Sequence, residues 1–413
     1  MRRRVAAIAF AVAAVVSGPV AGTTIPAEAG AGQYFDLSAL PGPDFTGAQI
    51  WQGHQDFINA HPYRVTGTAM EVVTGMDLRD DMRALGYDTH IHSLPADPGV
   101  DAGPGVALKA IIATKRGVTK PDEWIVFTGH YDSVPQTIYG AYDNGSGTNL
   151  LRYLAREFAN VQTNRSLVFV WFNGEEEGVL ASSRYAKELS DAGQKIVADL
   201  GFDMEGIAYP VANPGSTNCL CMWYGGNDKT AFDPLLRYVN FSFLGLPNSK
   251  RLVSVEGINN RNSDESSFAS NGFPTMRWAG MRTAAAYPAY HMYNDTLDEI
   301  VTVAGGASYV EQGIENTMKS AYYTALALDN HLPVPAATAT TNGLSIQLDA
   351  TGSSDEDGTL STFSWDFGDG TAGTGSAVQH TYAAAGTYTV TLSVADNLWP
   401  TVTQGLTLQV TVA

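Results

Sequence analysis

Ser166-Leu-Val-Phe-Val-Trp-Phe172 runs directly into Asn173-Gly174-Glu175-Glu176-Glu177. The first seven residues are too rich in β-branched and aromatic side chains for a helix. They suit a central strand buried on both faces. Glu175 and Glu176 follow that strand as immediate neighbours, so their side chains diverge. One can bind a metal ion while the other faces a substrate. An isolated Glu-Glu-Glu is ordinarily a solvated acidic run, but the Trp171-Phe172 lead-in makes that reading less natural here.

Further strands and helices flank this stretch. Ala107 to Thr114, Trp124 to Thr128, Ala198 to Phe202 and Thr275 to Trp278 read as strands. Ser146 to Phe158 carries Leu150, Leu151, Leu154 and Phe158 at helical spacing, and Gly178 to Leu189 and Ser308 to Leu328 also read as helices. The alternation predicts an α/β fold, a mixed β-sheet flanked by helices. His130 follows the strand ending at Thr128, Glu175 the strand ending at Phe172, and Asp203 the strand ending at Phe202. Open α/β sheets bind ligands beyond the carboxyl ends of their strands, so these three groups are expected on one rim.

His130-Tyr-Asp132, Asp143, Glu175-Glu176, Asp203 and His291 supply two imidazoles and several carboxylates, the inventory of a two-zinc hydrolase. Each has a bland reading when taken alone. His130-Tyr-Asp132 could be a surface turn and Asp143-Asn-Gly a turn capping a helix, while His291 could be a hydrogen-bonded core histidine. Convergence favours the metal reading, in which Asp132 orients the His130 ring by accepting its second N–H. Asp295 and Thr296 read as helix-start residues with no further role, Thr296-x-x-Glu299 resembling a capping box. There is no Gly-x-Ser-x-Gly elbow, neither cysteine has the context of a catalytic thiol, and Gly145-Ser-Gly147 lacks the lysine of a phosphate-binding loop.

The chain has 413 residues, 44% of them hydrophobic, and a formal net charge of -18. That balance argues against nucleic-acid binding. Met1-Arg-Arg-Arg4, the apolar Val5 to Val16, a run too short to span a bilayer, and Ala27-Glu28-Ala29 read as a secretory signal peptide over 1–29. A secreted, extracellular protein with no membrane span is therefore expected, monomeric by default. Cys219 and Cys221 are the only cysteines, and a bridge between them is preferred to free thiols. Asn330-His-Leu-Pro-Val-Pro335 reads as a linker. It divides a first domain, 30–331, from a Thr/Ser/Gly-rich tail of short alternating strands, 332–413.

Thr-Gly-His130-Tyr-Asp132-Ser, Asp143-Asn-Gly-Ser-Gly, Asn-Gly-Glu175-Glu176-Glu-Gly, Phe-Asp203-Met and Tyr290-His291 together resemble the signature blocks of secreted bacterial di-zinc aminopeptidases of the leucyl aminopeptidase or aminopeptidase S type. His61-Pro-Tyr-Arg-Val-Thr-Gly-Thr68 resembles an early segment of the same enzymes. The resemblance implies two Zn2+ per chain bridged by Asp143, with His130 and Asp203 on one ion and Glu176 and His291 on the other. It implies Glu175 as general base, Tyr290 as oxyanion donor, a cis peptide between Asp143 and Asn144, and peptide or protein N-termini as substrates. Related carboxypeptidases, single-zinc glutaminyl cyclases and a binding protein with structural metals are the alternatives. One departure is Ser263-Asp264-Glu265, where the family often has Ser-Asp-His, so Glu265 is a candidate for altered specificity.

The tail resembles a polycystic-kidney-disease-type (PKD) domain, an immunoglobulin-like β-sandwich, through Leu348 to Asp355, Trp365-Asp-Phe-Gly-Asp-Gly370, His380-Thr-Tyr and Gly386 to Leu392. Trp365 and Tyr388 are expected in its core. Asp355-Glu-Asp-Gly358 reads as a turn, with Ca2+ binding as the alternative. Such modules serve as spacers or bind surfaces and polymers.

Overall fold

The computed structural model describes residues 24–26, 42–95, 107–207, 219–224, 251–256, 263–280, 287–330, 333–355, 358–397 and 403–413. They divide into two units, Phe35–His331, and Leu332–Ala413 joined by Met1–Tyr34. A three-residue strand, β1 (Thr24–Pro26), pairs antiparallel with β10 (Thr338–Asn342) of the smaller unit.

The larger unit is a mixed eight-stranded sheet in the order β2-β3-β5-β4-β6-β9-β7-β8. Its strands are β2 (Asp88–Leu94), β3 (Leu108–Lys115), β4 (Lys120–His130), β5 (Arg165–Phe172), β6 (Lys195–Phe202), β7 (Cys219–Tyr224), β8 (Arg251–Glu256) and β9 (Thr275–Ala279). β5, β4, β6 and β9 run parallel as neighbours, β2 and β3 pair antiparallel with theirs, and β7 pairs antiparallel with β9 and parallel with β8. Cys219 and Cys221 lie on β7, and how their side chains pair falls outside the described residues.

Every residue of β5 is buried, as a strand covered on both faces requires. Val168, Val170 and Phe172 join Ala181, Tyr185 and Leu189 of helix α4 (Leu180–Asp191) and Phe268 of the short helix Asp264–Ser270 in one cluster. On the opposite face Phe169 stacks on Phe127 of β4, and the Trp171 indole donates to Thr148 O of helix α3 (Gly145–Phe158) at 3.1 Å. Phe158 of α3 stacks in turn on Tyr322 of the long helix Ala307–Asp329. Helices α1 (Gly47–Ala60) and α2 (Ala69–Ala84) precede the sheet, capped by Thr46 and Thr68 through their side-chain oxygens.

The smaller unit is a β-sandwich of two four-stranded sheets, β1-β10-β11-β14 and β13-β12-β15-β16. The further strands are β11 (Ser345–Asp349), β12 (Leu360–Asp366), β13 (Ala372–Thr374), β14 (Ala377–Thr381), β15 (Gly386–Asp396) and β16 (Thr403–Val412). Ile346 and Leu348 of one sheet meet Trp365, Val390, Leu392 and Leu408 of the other. Trp365 is core, but Tyr388 is only partly buried: it stacks on the buried Tyr382 at 3.8 Å and sends its hydroxyl outward to Ala384 O. Gly358 N–H donates to Asp355 Oδ1 at 3.0 Å, the bond of a side-chain-closed turn, and residues 356–357 between them lie outside the description.

Replacing Trp171 by Ala removes a fully buried indole and its hydrogen bond, and is expected to cost about 3–5 kcal/mol. Denaturant unfolding of the variant would check this; a loss below about 1 kcal/mol would mean that β5 is not held between two filled faces.

Candidate metal centre

His130 is the last residue of β4 rather than part of the loop beyond it, and its backbone carbonyl accepts from Thr148 Oγ1 at 2.7 Å and from Asn144 Nδ2 at 3.2 Å. Asp203 directly follows β6, and Glu175 and Glu176 occupy the turn after β5. Because β5, β4 and β6 are adjacent and parallel, their carboxyl ends deliver these groups to one edge. Asp143 arrives from the loop before α3, joined to Asn144 by a cis peptide bond.

The side chains form two nests around one shared carboxylate. Asp143 Oδ1 lies 3.5 Å from His130 Nε2, which is 3.6 Å from Asp203 Oδ1. Asp143 Oδ2 lies 3.2 Å from His291 Nε2, which is 3.1 Å from Glu176 Oε2. In each trio the potential ligand atoms lie within 4.8 Å of one another. Glu175 stands beside both nests, with Oε2 3.9 Å from His130 Nε2. Glu176 reaches His291, but carboxylate oxygens of both Glu175 and Glu176 also lie within 4.8 Å of a His130 ring nitrogen and of each other, so the two side chains do not part completely. Tyr290 stacks its ring on His291 at 3.9 Å.

Asp132 occupies the position expected of an orienting carboxylate, 3.5 Å from His130 Nδ1. Its oxygens also accept from Thr66 Oγ1 at 2.9 Å and from the backbone N–H groups of Glu175 and Glu176 at 3.4 Å. One buried carboxylate thus ties the His130 corner to the Glu175–Glu176 corner.

Concentrating acids in a buried site shifts their protonation. Burial, and then the Asp143 charge, push Glu176 up to about 8. Burial with the neighbouring Asp203, Glu176 and Asp264 raises Glu175 well above the carboxylate range against the opposing pull of His130. Asp203 goes the other way: burial would raise it, but His130, Arg277 and Ser263 outweigh that and hold it low. Burial would lower His291, yet its bonds to Asp143 and Glu176 lift it to about 10. Glu176 Oε1 and Asp203 Oδ1 are buried without a hydrogen-bond partner. A set of imidazole nitrogens and carboxylate oxygens, tightly grouped and partly unpartnered, fits divalent zinc.

Several residues that hold the site were missed by sequence reasoning. Asp295 is buried, not a mere helix-start residue: its carboxylate accepts from Tyr142 N at 2.9 Å, Asp143 N at 3.0 Å and the Tyr287 hydroxyl at 2.8 Å. Thr296 does cap the following helix, accepting from Glu299 N. Asn144 bonds His130 O and Phe202 O through its amide nitrogen, and Gly147 N and Met204 N through its oxygen. Gly147 must be glycine, since a Cβ there would meet Asn144 Oδ1 at 2.4 Å and Phe202 O at 2.8 Å. Arg64 is fully buried and donates to four carbonyls, those of His61, Tyr131, Tyr139 and Gly140. Glu265, the candidate for altered specificity, is buried and paired with Arg277 at 3.0 Å, so its charge is engaged inside the fold. A signal for Asp295 existed in the sequence, an acid close to His291, but helix capping explained it locally.

Residues 110–307 match the model of peptidase family M28, and residues 330–410 match that of the PKD domain. Aminopeptidase YwaD of Bacillus subtilis is 30% identical over 193 residues, covering 46% of this chain and 39% of the relative. Aminopeptidase Y of Saccharomyces cerevisiae is 36% identical over 95 residues, 23% of this chain and 17% of the relative. The chain thus spans well under half the length of these curated relatives. Among solved structures, the LapA aminopeptidase of Legionella pneumophila aligns with a TM-score of 0.52 at 18% identity, covering 71% of this chain and 74% of that one. Glutaminyl cyclase of Porphyromonas gingivalis aligns at 0.52 and 19% identity, covering 68% and 99%. At these identities the likeness is one of fold.

Stripping metal from the protein should expose the raised groups in its stability. Glu176, raised from 4.5 to about 8, favours the folded state fully below 4.5 and loses that advantage as pH rises through 8. His291, raised from 6.5 to about 10, does the same between those values. The chelated protein is therefore expected to melt at progressively lower temperature from pH 5.5 to pH 9, while the gain on adding Zn2+ grows over the same range. Thermal melts with chelator and with Zn2+ check this; a chelated protein that gains stability across that range would contradict it.

Proposed function

We propose that this chain, which contains a peptidase family M28 domain followed by a PKD domain, is a zinc aminopeptidase acting on peptide or protein N-termini. The observation that carries the reading is the division of Asp143, one oxygen toward His130 and Asp203 and the other toward His291 and Glu176. A carboxylate so placed suits two ions side by side, and the fold and the aminopeptidase relatives support hydrolysis at a peptide amide. His130, Asp143 and Asp203 would hold one zinc, and Asp143, Glu176 and His291 the other. Zinc held there would supply an acidified water and polarisation of the scissile carbonyl.

The chain's own residues do the rest. Glu175 joins His130 and Glu176 in a third grouping but neither trio that Asp143 anchors, and its carboxylate takes the proton from the attacking water and passes it to the departing amine. Tyr290 is kept protonated by burial and by the surrounding carboxylates of Asp143, Asp203, Glu176 and Glu175, so its hydroxyl donates to the developing oxyanion. Asp132 keeps the His130 ring in one orientation. The acids beside the nests complement the free ammonium of a peptide N-terminus. The basic Met1–Arg4 and the apolar run after it support the reading of a secreted protein.

Leucine p-nitroanilide, with and without a chelator, tests the activity. Chromophore release that stops on chelation and returns with Zn2+ is expected, and no chelator-sensitive release from this or a panel of peptides would end the reading. Metal analysis should give two zinc ions per chain; a count of one would favour the glutaminyl cyclase chemistry of a fold relative instead. Glu175→Ala is expected to lower kcat by at least about a hundredfold with zinc content intact. Loss of the metals in that variant would show that the roles of Glu175 and Glu176 are misassigned.

A further inference from the structure

We propose that Glu71 of α2 is a positioning residue that sets the spacing between the His130–Asp132 corner and the Glu175–Glu176 corner of the metal centre. Glu71 has no exposed surface, and the chain from which it projects lies before the region matched by the peptidase family. Its Oε1 accepts from the Tyr131 hydroxyl, from Asn173 Nδ2 at 3.3 Å and from Lys109 Nζ at 3.1 Å. Its Oε2 accepts from Lys109 Nζ at 3.1 Å and from Gly67 N at 3.3 Å.

Those partners are not scattered. Tyr131 stands between His130 and Asp132, and Asn173 leads through Gly174 into Glu175. Lys109 N donates to Asn173 Oδ1 at 2.7 Å, and Asn173 Nδ2 also reaches Ala107 O at 3.0 Å, so the Asn173 amide is fixed from both ends. Gly67 adjoins Thr66, whose hydroxyl donates to Asp132 Oδ2 and accepts from Gly174 N at 3.1 Å. One carboxylate therefore touches both corners and the turn that bridges them. A buried carboxylate with a single lysine would serve fold stability alone. Here two of the remaining donors, Tyr131 and Asn173, belong to the segments of the two corners, and the third, Gly67, adjoins Thr66, which bonds Asp132.

Glu71→Gln keeps the size of the side chain and turns one acceptor oxygen into a donor facing other donors. The expected result is Zn2+ affinity weakened by at least about tenfold, with kcat reduced by a similar factor and KM changed less than about twofold. Zn2+ competition against a chromophoric chelator measures the affinity on folded protein. If Glu71→Gln does not fold, Tyr131→Phe removes one hydroxyl and leaves the Glu71–Lys109 pair, and about a fivefold loss of Zn2+ affinity is expected. Zn2+ affinity within about twofold of the parent overturns the proposal, whatever the change in melting temperature. The kcat arm rests on the aminopeptidase reading and the Zn2+ arm does not. A parent without peptidase activity whose Glu71→Gln variant still loses Zn2+ affinity would end that reading and keep the positioning role.

Discussion

Asp143 faces two imidazoles at once, one with each oxygen, and everything around it answers the cost of that arrangement. Asp143, Glu175, Glu176 and Asp203 crowd against His130 and His291, with Asp132 and Asp264 close behind. Burial and like charges hold protons on Glu175 and Glu176 that they would lose in water, and the carboxylates bonded to His291 keep its imidazole protonated. Divalent cations remove that penalty and give the unpartnered oxygens a use. The same crowding that is a liability in a bare fold becomes affinity for metal.

Such a cluster works only where its members cannot relax apart. Three parallel strands, adjacent in the sheet and buried on both faces, fix the origins of His130, Glu175 and Asp203. Asp143 has no strand beneath it. Its backbone is held instead by Asp295 on one side, and Asn144 is bonded to the ends of β4 and β6 on the other. The sheet and the side-chain braces thus do the same job for different ligands.

The sheet and the gathering of acids and imidazoles at its rim were legible from sequence because both depend on local chemistry. Ser166 to Phe172 announces a doubly covered strand by composition alone, and acids and histidines just past apolar runs announce a rim. The braces were not legible. Asp295 has an adequate local role as a neighbour of a helix cap, and its closeness to His291 does not reveal that it reaches back to Tyr142 and Asp143. Glu71 looks like a first-turn acid on a capped helix, which it also is. Glu265 looked like a change at a substrate-facing position, and only the fold reveals Arg277 against it. In each case the deciding partner is far along the chain, and long-range pairing leaves no periodic mark in the sequence.

Arg64 reaches four backbone carbonyls, and three of them, Tyr131, Tyr139 and Gly140, belong to the stretch between His130 and Asp143. That stretch has His130 at one end and Asp143 at the other, so freedom within it would be freedom in the distance between them. With its middle stapled by a guanidinium, the loop loses its conformational entropy when the chain folds rather than when an ion arrives. Ion capture then resembles docking into a rigid mould. For an ion held by His130 and Asp143, selectivity would then follow ionic radius and preferred coordination instead of how readily the loop can adapt.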